Sequence, residues 1–316
     1  MGKKDTVQKD YMSVPKYFAD AFNYYLFNGN QFVVADNLSE KDPTELEIRF
    51  TEENKEIIQK VRDVLKQCVV KEDDKYTYLI LGIENQSFVH YAIPVKIMIY
   101  DALNYGQQVS EKTKIHRDMK DIEGDEFLSG FAKSDKLKPI VTLIIYFGAE
   151  TWDGPRSLKE IFENMDEKIC PFVNNYKVNL LIPKEIEDFT KFKTDFGKAM
   201  KYISVSDDEE AYEKLAELDE YKNVNIETAR LLNECVGMEI AIEKGAEEME
   251  VCKAVKGLME KGRLEARTED IRIMITTLQE LGHSDTVIMK IIMDKFTMSE
   301  EEVKELHHSQ VSRHNS

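Results

Sequence analysis

Two apolar runs, V-R-D-V-L-K-Q-C-V-V (61–70) and Y-T-Y-L-I-L-G-I-E-N-Q (76–86), flank the polar break Lys71-Glu72-Asp73-Asp74-Lys75. Both runs are rich in β-branched and aromatic residues and are joined by a charged turn, the pattern of two strands in a hairpin. A turn centred between Asp73 and Asp74 sets residue 63 opposite residue 84 in an antiparallel pair. Directly opposed residues bring their Cβ atoms to about 5 Å on one face of a sheet. Glu84 and Gln86 are two apart and share that face. An aspartate, a glutamate and an amide oxygen therefore converge at the end of otherwise apolar strands. Two carboxylates this close repel unless a proton or cation sits between them. A hard divalent ion such as Mg²⁺ takes such oxygens, with water and phosphate completing its shell. The plainer alternative is an edge hairpin whose polar residues wet one end.

Longer words surround this hairpin: Y-F-A-D-A-F-N-Y-Y-L-F-N-G (17–29), R-D-V-L-K (62–66), L-G-I-E-N-Q-S (81–87), H-Y-A-I-P-V-K-I-M-I-Y-D-A-L-N-Y (90–105), F-L-S-G-F (127–131) and I-Y-F-G-A-E-T-W-D-G-P (145–155). In these the chain resembles the Rpn family of bacterial recombination-promoting nucleases, often labelled transposases, from about residue 16 to about residue 235. The resemblance implies a Mg²⁺-dependent DNA endonuclease with the restriction-endonuclease-like α/β fold of the PD-(D/E)xK superfamily, a mixed sheet flanked by helices. It implies Asp63 and Glu84 as the metal-binding acids, with Mn²⁺ or Ca²⁺ as substitutes or modulators. Gln86 takes the third motif position, where the superfamily usually has Lys. Lys96 falls where many members have Arg. The resemblance further implies DNA as partner and a role in recombination or mobile-element biology. The alternative is a nuclease-fold protein that has lost efficient chemistry with the Lys-to-Gln change and acts by binding a partner through its helical tail.

Outward from the hairpin, residues 15–28 read as an amphipathic helix, with Pro15 near its start and Phe18, Phe22, Tyr25 and Leu26 on one stripe. Asp20 and Asn23 lie on this helix, from which related nucleases bring an acid to the site; a solvated face is the plainer reading. L-E-I-R-F (46–50) is a short strand candidate. A helix is predicted over 93–109, with Pro94 in its first turn and Lys96 early in it, either reaching a phosphate near Gln86 or forming a surface salt bridge. Residues 110–138 read as a charged functional loop. Ile140–Phe147 reads as a strand buried on both faces, and T-W-D-G-P after it as a turn. Trp152 either stacks on a base or anchors that turn. Leu158–Met165 reads as a short helix, Val178–Ile182 as a strand, and 184–203 as a helix with Phe189, Phe192, Phe196 and Met200 on one stripe. His90 and His116 are candidate bases beside or beyond the motif.

From residue 207 the pattern is helical, in segments of about 208–222, 225–236, 239–265, 267–282, 285–296 and 299–308. Ser284-Asp285 and Ser299 with Glu302 carry N-cap signals. The expected division is a nuclease domain over 1–204 and an acidic helical region over 205–316, regulatory or self-associating, which makes a homo-oligomer through these helices the expectation. The net charge of −17 opposes DNA binding by the chain as a whole. Residues 205–316 hold 26 acids against 14 bases, and residues 1–204 hold 34 against 29. Basic clusters at K-T-K-I-H-R-D-M-K (112–120) and K-S-D-K-L-K (133–138) either meet phosphates or form a solvated loop. The four cysteines form no CxxC pair, which leaves no zinc knuckle or disulfide framework. The first ten residues lack an apolar core, and the longest apolar run is too short to span a bilayer. A cytoplasmic protein with no membrane partner is expected.

Overall fold

The hairpin forms because each strand buries an alternating set of large apolar side chains. In the computed structural model, which describes residues 2–41, 44–50, 55–61, 63–72, 75–164, 166–242, 245–299 and 301, the run before the turn is divided. Its first residue closes a separate hairpin, and the strand proper begins after Asp63. The elements are α1 (Lys3–Ser13), α2 (Pro15–Phe27), β1 (Ser39–Glu40), β2 (Thr44–Phe50), β3 (Lys55–Val61), β4 (Val64–Glu72), β5 (Lys75–Gln86), α3 (Ile93–Met119), α4 (Gly124–Ser129), β6 (Ile140–Tyr146), β7 (Asn179–Leu181), α5 (Asp195–Ser204), α6 (Glu209–Glu217), β8 (Asn223–Asn225), α7 (Ile226–Val236), β9 (Glu248–Glu250), α8 (Cys252–Glu280) and α9 (Asp285–Phe296). The protein is mixed α/β.

Five strands make the main sheet, in the order β1-β4-β5-β6-β7. β1, β4 and β5 pair antiparallel; β5, β6 and β7 pair parallel. The parallel step from β5 to β6 needs a long crossover, and α3 lies within it. Glu72 faces Lys75 and Val64 faces Ile83, the register expected from the sequence; the turn residues Asp73 and Asp74 lie outside the described residues. Among the described residues, β2 and β3 pair only with each other.

The register sorts the side chains into two faces. Val64, Lys66 and Cys68 share one face with Leu79, Leu81 and Ile83, and all six are buried. α1 packs on β4 and β5 from this side, and α2 and α5 pack on each other and on α1 and α7. Tyr11, Tyr17, Phe18, Phe22, Phe196 and Met200 fill that layer. Lys66 is buried within it, its ammonium 5.6 Å from the centre of the Phe18 ring and paired with Glu40 on β1. The opposite face carries Gly82, Glu84 and Gln86, with Thr142, Ile144 and Tyr146 beside them on β6. α3 covers this face, its Ile93, Ile97 and Tyr100 packed with Ile144, Tyr146, Trp152 and Ile182.

Several sequence expectations change here. The helix predicted to stop at 109 runs to Met119 and ends where Lys120 adopts a left-handed conformation. α4 follows, so 110–138 is not a loop throughout. Gly130 ends α4 at φ 67°, and a Cβ there would lie 2.6 Å from Thr113 Cγ2 on α3. Residues 158–161 form a 3₁₀ turn rather than an α-helix. The predicted helix over 184–203 is two 3₁₀ turns, Pro183–Glu185 and Phe189–Lys191, followed by α5. Asp20 dictates that break. Its carboxylate accepts the backbone N–H groups of Lys193 and Thr194, each at 2.9 Å, and the Thr194 hydroxyl at 2.6 Å. Asp20 and Asn23 are therefore not on a solvated face. Asn23 is buried and exchanges hydrogen bonds with the backbone of Val33.

The chain divides into two compact units, Met1–Val251 and the remainder from Cys252. This division lies 47 residues beyond the boundary expected from composition, because α6, α7 and the small β8–β9 ladder belong to the front unit. Residues 248–250, expected within a helix, are strand β9, and the break expected near residue 266 is continuous helix in α8. In the second unit α8 and α9 pack through Ile271, Ile275, Ile288 and Ile292. Of the capping box expected at Ser299 and Glu302, Glu302 lies outside the described residues, as does the rest of the segment to 308.

Candidate active site

β4 begins one residue after Asp63. Extending its register by one step sets Asp63 against Glu84. Where the ladder stops, the Asn85 N–H turns to the side chain of Asp63 and donates to Oδ2 at 2.8 Å. A backbone donor at a strand end needs such an acceptor, so Asp63 has a structural bond as well as a place beside Glu84. Burial, the largest influence, raises the Asp63 carboxyl above its ordinary range; the Asn85 N–H and the positive charges of Lys96 and Lys9 draw it part of the way back.

Glu84 is 4 % exposed and sits near the end of β5, the middle strand of the sheet, on its covered face. Lys96, in the first turn of α3, donates from its ammonium to Glu84 Oε1. Pro94 at the start of α3 sets this geometry, since its ring suits the first helical turn. Gln86 donates from Nε2 to the same carboxylate oxygen at 3.3 Å and to the Asn85 carbonyl at 2.8 Å. The structure thus brings Glu84, Gln86 and Lys96 into one hydrogen-bonded group, with Asp63 at the adjoining strand end. Gln86 serves Glu84 directly, as a donor that holds the carboxylate.

The other candidates part from this group. His90 accepts the Ala92 N–H at 3.2 Å, and burial followed by the Lys96 charge lowers its basicity. His116 lies at the far end of α3 between Asp121 at 2.7 Å and Asp135 at 2.8 Å. Trp152 is buried, packed edge-on against Tyr146 at 5.2 Å, and donates to the Gly154 carbonyl at 2.9 Å. It anchors the turn.

Sequence reasoning missed α1. Its K-K-D-T-V-Q-K-D run has few apolar residues, and only Tyr11 and Met12 at its end hint at a buried face. Gln8 on this helix is 1 % exposed and accepts the Ser87 hydroxyl at 3.2 Å. That bond fixes α1 against the end of β5, and Lys9 follows it.

Among the described residues, no group of three or more acids, histidines and cysteines is placed to hold a metal ion. The donor set at β4–β5 is two carboxylates. Mg²⁺ is commonly held by one or two carboxylates with waters and substrate phosphate, and an all-protein cage is not its habit. Asp63 and Glu84 fit that demand, with Lys96 sharing Glu84. Comparison of the chain with family models, curated proteins and solved structures returns no match.

Proposed function

We propose that this protein is a divalent-metal-dependent endonuclease hydrolysing phosphodiester bonds in DNA. One observation supports this most: the strand register that sets Asp63 against Glu84, with Gln86 and the Lys96 ammonium on the same carboxylate. A Mg²⁺ held by Asp63 and Glu84 would supply a water of lowered pKa and charge neutralisation at the phosphate. The rest falls to the chain. Gln86 keeps Glu84 oriented; a neutral amide donates and accepts hydrogen bonds and takes no proton from water. Lys96 sits within one hydrogen bond of Glu84 and places a fixed positive charge where a phosphate oxygen gains charge in the transition state. α3 and the buried sheet face exclude water from one side of the site, which strengthens these interactions.

The test is nicking of supercoiled plasmid by the full chain, with and without Mg²⁺. Cleavage that requires the metal and is lost in Asp63→Ala and Glu84→Ala, both still folded by circular dichroism, is expected. Undiminished cleavage by either variant would overturn the assignment. If the wild type shows no metal-dependent cleavage, the partner-binding alternative takes its place.

A further inference from the structure

A second cluster of charge lies on the same covered sheet face. A cavity of about 300 Å³ is lined by Lys41, Lys112, Lys136 and Lys138, with Glu111 the one acid among its walls. Its floor is Gln67 and Ile80, which face each other across β4 and β5. They stand four residues from Asp63 and Glu84 along the same two strands, on the same face. At about 3.3 Å per residue the two places are about 13 Å apart. Phosphates a few nucleotides apart on one strand span a distance of this order.

The site is built. Gln108 on α3 clasps residue 138 in both directions, accepting its N–H at 2.8 Å and donating to its carbonyl at 3.2 Å. The Lys138 ammonium is set by Gln67 Oε1 at 2.7 Å. Lys112 lies 3.4 Å from Asp135. The ammonium groups of Lys41 and Lys136 meet no carboxylate among the described residues. Lys112 from one basic stretch and Lys136 and Lys138 from a second thus meet Lys41 in one cationic hollow on a chain of net charge −17. Burial of apolar surface does not require such convergence, since lysines that only solvate a surface repel one another and spread. A polyanion rewards it.

We propose that this hollow is a phosphate-binding site that takes the sugar–phosphate backbone of a DNA strand whose scissile phosphate lies at Asp63 and Glu84. The identity of the strand rests on the nuclease reading; the phosphate chemistry of the hollow stands apart from it. The floor supplies the amide of Gln67 and the rim supplies ammonium point charges, so the site reads phosphate and not base sequence.

The experiment is fluorescence anisotropy of the full chain with a labelled duplex of about 30 base pairs, in EDTA so that no cleavage intervenes, over about 50 to 200 mM salt. The wild type is compared with Lys41→Gln/Lys136→Gln and with the charge-keeping Lys136→Arg. Each lost phosphate contact lowers the salt slope by about 0.9, so the double variant is expected to lose nearly two units of slope and on the order of tenfold in affinity at low salt. Lys136→Arg keeps both. An unchanged slope in a double variant that melts like the wild type overturns the proposal, as does a wild type that binds no duplex at low salt. Inorganic phosphate, matched in ionic strength with chloride, separates the sources. If it raises the melting temperature while the duplex slope is unaltered by the lysine changes, the ligand is a small phosphate and the strand assignment falls. Plasmid nicking by the same proteins keeps the two proposals apart. Loss of slope without any metal-dependent cleavage supports the hollow and removes the nuclease, and the reverse pattern removes only the hollow.

Discussion

Asp63 holds a charge where its surroundings resist one. Burial dominates and raises its carboxyl, so the folded state favours the protonated form. A group raised in this way contributes stability below its unfolded pKa, about 3.9, and loses that contribution as pH rises through the folded value. At neutral pH the ionised carboxylate is therefore a cost. Asp63→Asn removes the charge and keeps an oxygen for the Asn85 N–H. It is expected to melt higher than the wild type at neutral pH, with the gain vanishing as the pH falls below about 4. Added Mg²⁺ is expected to raise the wild-type melting temperature and leave that of Asp63→Asn unmoved, because a ligand stabilises only the state that binds it. Calorimetry at the two pH values, with and without the metal, checks both; a variant less stable than the wild type at neutral pH would show that Lys96 and Lys9 outweigh burial. Gln86 offers a second test. A lysine there would meet Glu84 where the amide now donates, so its charge is compensated despite the burial. Gln86→Lys is expected to fold and to cleave in single turnover at least as fast as the wild type. A folded, inactive variant would assign the amide a role no ammonium can fill. The shared face of Asp63, Glu84 and Gln86 was legible in the sequence because a period of two and a centred turn fix the register of a hairpin; the bond of Lys96 to Glu84 was not. The Asn85 bond of Asp63 was not, because it depends on where β4 stops pairing.

At the scale of elements, α3 carries the widest gap between sequence and structure. Its first half has apolar residues at helical spacing; beyond residue 109 that spacing disappears, and local pattern alone gives a loop. Tertiary ties hold the second half. His116 joins Asp121 and Asp135, and Asp135 in turn accepts the Ala132 N–H at 2.9 Å. These bonds fasten the segment after α3 back onto its last turns, and they link residues too distant for a periodic signal. Asp121 and then Asp135 raise the His116 imidazole above its ordinary range. A raised histidine stabilises fully below its unfolded pKa, about 6.5, and that stabilisation is lost as pH rises through the folded value. Amide exchange across residues 121–135, corrected for intrinsic rates, is expected to quicken in the wild type as the pH passes from about 6 to above that range. In His116→Gln it should be fast throughout. Protection that is equally strong in the variant would mean that α4 and Gly130 hold the segment without the ion pairs. Helices α2, α7 and α9 needed no such ties to be recognised, since each carries a continuous apolar stripe.

For the whole molecule, the question is where the chain can be cut. Composition placed the boundary at residue 204 because acids become abundant there. Packing places it after Val251. The acidic excess does not move with it: residues 205–251 carry 15 acids and 4 bases, whereas residues 252–316 carry 11 and 10. A tail that repels DNA by its charge would thus be a property of the front unit, and removal of residues 252–316 shifts the net charge only from −17 to −16. Truncation after Val251 is expected to leave one cooperative unfolding transition and duplex affinity like that of the full chain at low salt. Truncation after Val236 would also remove β9 and the buried side chains Met238, Ile240, Met249 and Val251. Each fully buried side chain of this kind contributes about 1.5–3 kcal/mol as an upper estimate. Four of them amount to a large share of a total stability of about 5–15 kcal/mol. The shorter fragment is therefore expected to melt well below the longer one, or to fail to fold. Urea titration of the two fragments and the full chain decides the matter. A fragment ending at Val236 as stable as one ending at Val251 would show that the β8–β9 ladder adds little to the front unit. A loss of duplex affinity in the longer fragment, with its fold intact, would show that α8 and α9 contribute to DNA binding by means other than net charge.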